Sequence, residues 1–388
     1  MKELSRLTET FTESVIREMT RRCDAVGGYN LSQGFPDFPC PDVVKEAALR
    51  AIREDHNQYS VTFGEQVLRE AVSRKAETYN GIACDPDTEI TITCGATEAM
   101  ISTMRALINP GDEVVIFEPF YENYGPDTIL SGAKPRYVTL HPPDWTYERG
   151  ELAEAFNRRT KAIIINTPNN PTGKVFSRSE LEEISKLCIQ WDCLAITDEI
   201  YEHIVYDDNQ HVSMGSLDGM RDRTITINSI SKTYSVTGWR VGWAIAGERI
   251  TREIRKVHDF LTVGAPTPLQ HAAAFALSSM PESYYEELRV KYSRLRGMLF
   301  ETLSATGFKP CLPGGAYYII ADIGGLGEKL NAGNDASFSR ILTERMGVAT
   351  VPGTSFYSTP GEGLNQVRFC FCKKTETLEK VGERLRQI

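Results

Sequence analysis

The chain has 388 residues, 41% of them apolar and 24% charged, with a formal net charge of −9. That composition is ordinary for a globular protein, and the length suggests roughly two to three domains. The acidic balance argues against a protein that works on nucleic acid or an anionic membrane, since both demand a basic surface.

From the start of the chain, Met1 to Arg22 carry scattered charges and lack the apolar run of a secretory signal, so none is expected. No stretch approaches the ~18 apolar residues that span a bilayer. Residues 1–45 fit neither large pattern that follows and are expected to pack on the C-terminal unit. Glu89–Cys94 reads as a strand, followed by Gly95 and a helix over Thr97–Leu107. Asp112–Phe117 and Lys161–Ile165 read as further strands, and Ser179 with Glu182 three residues on reads as a capping box. Cys193–Thr197, Thr224–Asn228 and Trp239–Ile245 complete the strand candidates. Continuous β-branched runs separated by helices predict a mostly parallel sheet buried on both faces. Past Pro266 the pattern turns helical, with a long amphipathic segment over Glu282–Ser304. A second α+β unit then contains strands at Ala316–Ala321 and Gln366–Phe371, a helix over Ala336–Arg345 and a closing helix.

The nine cysteines are irregularly spaced without a C-x-x-C, and the six histidines form no ligand pair. Buried thiols are therefore the expected state, no metal site is expected, and reduced thiols point to the cytoplasm. His203 and His211 lie near Tyr201 without ligand spacing and read as core or surface residues. Trp239 and Trp243 read as packing residues, and Gly324-Gly-Leu-Gly327 as a connection lacking the full nucleotide-loop pattern.

In parallel sheets ligands bind beyond the carboxyl ends of strands, and four features fall there. Gly95-Ala96-Thr97 opens a helix whose free N–H groups suit a phosphate. Asn166-Thr-Pro-Asn-Asn-Pro-Thr-Gly173 is dense in turn residues. Asp198-Glu-Ile-Tyr201 puts a carboxylate at a buried strand end, where it needs a partner. This partner is a structural cation in one reading and a protonated heterocyclic nitrogen in the other. Ser229-Ile-Ser-Lys232 places a lysine at another strand end with Arg240 eight residues on, an arrangement that would lower the amine's pKa and make it a nucleophile.

Together these blocks resemble the class I/II aminotransferases, fold type I enzymes that use pyridoxal 5′-phosphate. Ser229 to Gly242 is similar to the family's lysine signature, and the Asn166 and Asp198 blocks match its other two hallmarks in the same order. Leu31-Ser-Gln-Gly-Phe-Pro-Asp-Phe38, Asn57-Gln-Tyr59, Glu118-Pro-Phe-Tyr-Glu-Asn-Tyr124 and Val367-Arg-Phe-Cys-Phe371 resemble the subgroup of kynurenine/glutamine, methionine and prokaryotic aspartate aminotransferases.

The resemblance implies an α/β fold with a mostly parallel, seven-stranded large-domain sheet flanked by helices, plus a smaller α+β domain. The boundaries expected are an arm and part of the small domain at 1–45, the large cofactor domain at 46–290 and the small domain at 291–388. It implies a Schiff base on Lys232, which then shuttles a proton, with Asp198 on the pyridinium nitrogen and Asn170 and Tyr201 on the ring's 3-oxygen. Tyr121 would stack on the ring, while Gly95, Ala96, Thr97, Ser229 and Arg240 hold the phosphate. Arg368, helped by Asn166 and the backbone of Gly34, would bind the substrate carboxylate. Tyr59 would reach a neighbouring subunit's phosphate, making a homodimer. The implied reaction moves an amino group from an L-amino acid to a 2-oxo acid through a pyridoxamine form.

Some aspartate-using relatives carry a lysine where this chain has Thr97, so a neutral or aromatic donor is expected, such as kynurenine, glutamine, methionine or phenylalanine. Tyr121 and Tyr124 would offer that side chain aromatic surface. An aspartate-type aminotransferase, a pyridoxal-phosphate C–S β-lyase and a regulatory ligand-binding module are the alternatives.

Overall fold

The computed structural model describes residues 4–388; Met1–Glu3, the start of the expected arm, lie outside the described residues. Seven strands form the central sheet: β1 Ile90–Thr93, β2 Glu113–Glu118, β3 Lys134–Thr139, β4 Thr160–Asn166, β5 Leu194–Asp198, β6 Thr224–Ser229 and β7 Gly242–Ile245. Their order is β1-β7-β6-β5-β4-β2-β3. β3, β2, β4, β5 and β6 pair in parallel, and β7 runs antiparallel to both its neighbours.

Alternation within each strand builds two cores. Val115, Phe117, Ile163, Ile165 and Ala195 enter one apolar cluster, while Val114, Ile116, Ile164, Ile196, Ile225 and Ile227 enter another across the sheet. Both faces are covered by helices, which is why these strands read as unbroken apolar runs.

Three local expectations need correction. β3 went unread because it is an edge strand: its first four residues alternate between exposed and half-buried, and it contains Pro135, which an edge tolerates. The strand expected from Trp239 begins only at Gly242, because Arg240 sits at φ +54° and turns the chain first. The capping box exists two residues earlier than read, with Ser177 capping the helix Arg178–Gln190 and Glu180 returning the bond.

A four-stranded antiparallel sheet (order Val351–Pro352, Gln366–Cys370, Tyr318–Asp322, Lys309–Pro310) forms the C-terminal unit with the helices Glu282–Ala305, Asp335–Met346 and Thr375–Leu385. Tyr29–Asn30 pairs in parallel with Val348–Ala349, which ties the start of the chain to this unit. Among the described residues all nine cysteines are free, and no helix is long and apolar enough to cross a membrane.

Candidate active site

The carboxyl ends of β1, β4, β5 and β6 converge on one site, which the small sheet closes from the other side through Arg368. At the end of β1 the chain turns at Gly95, whose φ of +82° favours glycine. A side chain there would also strike Arg240, its Cβ falling 2.7 Å from the guanidinium carbon. Gly95 is the N-cap of the helix Ala96–Leu107 and offers no side-chain acceptor, so the first-turn N–H groups stay available. Gly242 lets β7 come this close, since a Cβ on it would sit 2.6 Å from the Ala96 nitrogen. Arg240 is held over the loop by bonds from Nη1 to the Thr237 carbonyl (2.9 Å) and from Nη2 to the Cys94 carbonyl (3.4 Å). The result is a positive, glycine-lined concavity suited to a phosphate. Ser229 ends β6 nearby, buried, with its hydroxyl accepting from the Ser231 N–H at 3.3 Å. Thr97 is exposed in this single chain, as is Tyr59 at 89%.

Lys232 follows β6 and aims its amine across the cleft, donating to the Gly34 carbonyl at 3.3 Å. The amine lies 5.7 Å from the Tyr201 ring and 5.8 Å from the Tyr317 ring. Burial pushes its pKa down to about 8, with the Arg240 charge adding to the fall. Sequence reasoning credited Arg240 with this effect, but loss of hydration is the larger cause. Gly34 also accepts from the Tyr317 hydroxyl at 2.8 Å, and a Cβ on it would fall 2.6 Å from Cζ of Tyr318.

Asp198 ends β5, buried, and burial lifts its carboxyl to about 6. Its Oδ2 accepts from the Tyr124 hydroxyl at 2.7 Å. This corrects the expected role of Tyr124: the side chain is 3% exposed and its hydroxyl is committed to Asp198, so it offers no surface to a substrate. The spacing of a tyrosine three residues after Tyr121 carried no signal for that bond. Tyr121 stands edge-on to Tyr124, ring centroids 5.8 Å apart, and is half-buried at the cleft. The Tyr201 and Tyr318 hydroxyls are 3.0 Å apart.

Arg368 is fully buried on the small sheet. Nη1 donates to Asn170 Oδ1 at 2.8 Å, Nη2 donates to the Ser32 carbonyl, and Nε has no protein partner. The rings of Tyr318 and Phe356 lie 4.3 and 4.9 Å from its guanidinium carbon. Asn166, expected beside Arg368, is committed elsewhere: Nδ2 donates to the Asp198 carbonyl (2.9 Å) and Oδ1 accepts from the Asn170 N–H (2.7 Å). The contact with Arg368 belongs to Asn170, and Asn166 orients it. A buried guanidinium with an unpaired donor and no carboxylate bonded to it calls for an anion.

His203 and His211 belong to a separate buried network. His211 Nε2 is 2.9 Å from Glu199 and His203 Nε2 is 3.6 Å from Glu202. The ligand atoms of Glu199, Glu202 and His211 lie within 4.8 Å of one another, a grouping their sequence spacing did not reveal, and the Lys75 ammonium already bonds Glu202 there.

An amine of lowered pKa, a buried carboxylate, a phosphate-sized positive cradle and a buried guanidinium thus face one cleft. The sequence profile of the family described as aminotransferase class I and II matches residues 27–385. The chain belongs to this family. Kynurenine–oxoglutarate transaminase 1 of Homo sapiens is 38% identical over 386 residues, covering 92% of each chain. Methionine aminotransferase of Escherichia coli is 35% identical over 377 residues, covering 97% of this chain and 96% of its own. The fold superposes on N-succinyldiaminopimelate aminotransferase from Mycobacterium tuberculosis with a TM-score of 0.95 at 35% identity, each chain fully covered. The aspartate aminotransferase of Thermus thermophilus gives 0.91 at 31% identity, again over the full length of both. The protein is an amino-acid aminotransferase of a pyridoxal-phosphate-dependent family, and the mostly parallel sheet is that of the fold type I enzymes.

Proposed function

We propose that this aminotransferase moves the amino group of a neutral or aromatic L-amino acid to a 2-oxo acid, with Lys232 carrying pyridoxal phosphate. The observation that carries the assignment of Lys232 is the placement of its amine in the cleft, between the Gly34 carbonyl and the rings of Tyr201 and Tyr317, where burial pushes its pKa down to about 8 and favours the uncharged nucleophile. The cradle fits the cofactor. Ala96 and Thr97 N–H groups, Ser229 and the Arg240 fork would hold its phosphate, with Gly95 leaving the room. Asp198 would face the ring nitrogen, Tyr121 would cover the ring, and Tyr201 and the Asn170 amide would reach its 3-oxygen. When bound, pyridoxal phosphate supplies a carbonyl that takes an amine and a conjugated ring that accepts an electron pair.

The protein groups do the rest. Arg368 orients the substrate carboxylate, with Asn170 and Ser32 fixing the plane of its guanidinium. Asp198, ionised above about pH 6, keeps a proton on the group it faces, and Tyr124 holds that carboxylate in place. Lys232 Nζ would take the proton from the substrate α-carbon and hold it for return on the far side of the amino nitrogen. The aromatic walls of Tyr201 and Tyr317 keep water from that amine.

Thr97 and the Glu122 carboxylate, the latter bonded by Ser14 at 2.6 Å beside Tyr121, support a preference for donors without a distal carboxylate. Tyr59, almost wholly exposed in one chain, is suited to reach a neighbouring subunit's phosphate in a homodimer. The same reading divides the chain into an arm with part of the small domain at 1–45, a large domain at 46–290 and a small domain at 291–388, and puts the enzyme in the cytoplasm. The test compares kcat/KM for aspartate, phenylalanine, methionine, glutamine and kynurenine with one 2-oxo acid, in wild type and Thr97→Lys. At least one neutral donor should exceed aspartate, and Thr97→Lys should narrow the gap. Aspartate ahead of all the others in wild type would overturn the substrate reading.

A further inference from the structure

Behind the phosphate cradle lies a histidine that the reaction does not use. His258, on the helix Glu248–Thr262, has no exposed surface. Its Nδ1 is 3.0 Å from both carboxylate oxygens of Glu98, and its Nε2 is 2.7 Å from the Thr62 carbonyl. A carbonyl can only accept, so Nε2 carries a proton. The Glu98 carboxylate accepts from the Cys94 N–H at 3.0 Å and from the Ser102 hydroxyl; as an ionised acid it presents only acceptors, so Nδ1 donates to it, and the Thr262 hydroxyl 3.4 Å from Nδ1 is then a further acceptor. An imidazole with acceptors at both nitrogens is an imidazolium.

Each partner of this cation belongs to a functional segment. Glu98 is the third residue of the helix Ala96–Leu107, and its bond to Cys94 N–H closes the turn through Gly95 and Ala96. Thr62 lies three residues past Tyr59, and the next carbonyl, Phe63, accepts from Ile92 of β1. Resting on the assignment of the cradle made above, we propose that His258 is a positioning residue: its doubly protonated ring clamps the phosphate loop to the segment that carries Tyr59. The shape of a subunit's own cradle is thereby coupled to the residue it extends outward.

The charged and titratable groups acting on the ring are Glu98 from the facing helix and Asp259 on its own helix, while the Cys94 thiol and Arg240 belong to the loop beyond Glu98. Burial pulls the imidazole down, but the bond and charge of Glu98 outweigh it and the pKa ends above its ordinary value. A raised pKa means the clamp is complete below the ordinary histidine range and is lost as pH rises through the folded-state value.

The test uses the full chain with histidine labelled by nitrogen-15, His258→Gln serving both as variant and as the assignment of the signal. Gln can still reach Thr62 but leaves Glu98 without its cation. In wild type at pH 7 the His258 signals should show both nitrogens protonated. The pyridoxal phosphate dissociation constant of His258→Gln should rise about tenfold or more, the loss of one hydrogen bond to a charged group. A neutral, singly protonated His258 at pH 7 would overturn the proposal, as would a folded variant binding the cofactor within about twofold of wild type. Should the variant not fold, the signals are assigned through Glu98→Gln, which moves only the ring bonded to it, and the wild-type protonation state decides. Failure of the underlying site assignment looks different: wild type itself would then bind no pyridoxal phosphate.

Discussion

Tyr124→Phe isolates one hydrogen bond at the centre of the site. The ring is 3% exposed and packs among apolar neighbours, so phenylalanine fills the same space. What disappears is the donor 2.7 Å from Asp198 Oδ2, leaving that carboxylate with the weaker 3.4 Å contact from the Ile200 N–H. A hydrogen bond to a charged group is worth about 1.5–3 kcal/mol, and each pKa unit is about 1.4 kcal/mol, so the Asp198 pKa should climb by roughly 1–2 units. It starts at about 6, raised by burial. In the proposed site the ionised carboxylate would hold a protonated ring nitrogen, so cofactor affinity should be full above the Asp198 pKa and fall as pH drops through it. Titrating apoenzyme with pyridoxal phosphate across the pH range gives the assay. In Tyr124→Phe the acid-side loss of affinity should begin roughly 1–2 units higher than in wild type, with the alkaline side unmoved. Superimposable acid limbs in the two proteins would refute the reasoning, since Tyr124 would then contribute nothing to the charge state of Asp198.

Arg368→Lys keeps the charge and loses the fork, so KM should rise about ten- to a hundredfold for every amino donor and 2-oxo acid alike, and unchanged constants across several substrates would remove Arg368 from the carboxylate site. Gly95→Ala forces a side chain into a backbone conformation (φ +82°, ψ 169°) essentially reserved for glycine, and against Arg240, at a cost of roughly 1–3 kcal/mol from the backbone alone. It should weaken pyridoxal phosphate binding by about tenfold while circular dichroism stays that of wild type, and equal dissociation constants would contradict the cradle.

The elements that were legible in the sequence share a physical cause. Strands β2, β4, β5 and β6 are buried on both faces, and that burial writes short runs dominated by apolar and β-branched residues that need no tertiary information to read. β3 lies at the sheet's edge, where its first four residues alternate between exposed and half-buried, and so its lysine, proline and arginine masked it. The site divides in the same way. Asn170, Asp198, Lys232 and Arg368 each sit in a dense local motif, and the motif is what made the residue legible. Tyr124 and His258 do their work by contacts across 74 and 160 positions of chain, to Asp198 and Glu98, and no local pattern records such a meeting. Asn166 shows a third case: the motif was visible, but only geometry reveals that its amide is committed at both ends, one to the Asp198 carbonyl and the other to the Asn170 N–H. Arg240 shows a fourth, since a left-handed turn at a non-glycine residue is fixed by the loop it must reach, and its neighbours read as strand.

The chemistry of the site depends on which amine carries the cofactor, and one measurement addresses that directly. The protein saturated with pyridoxal phosphate is reduced with borohydride, which fixes the imine as a secondary amine, then digested and mapped by mass spectrometry. The expected result is a single phosphopyridoxyl group, on Lys232, in the peptide that also contains Ser231. An unmodified Lys232, or the label on any other lysine, would contradict the assignment of this site.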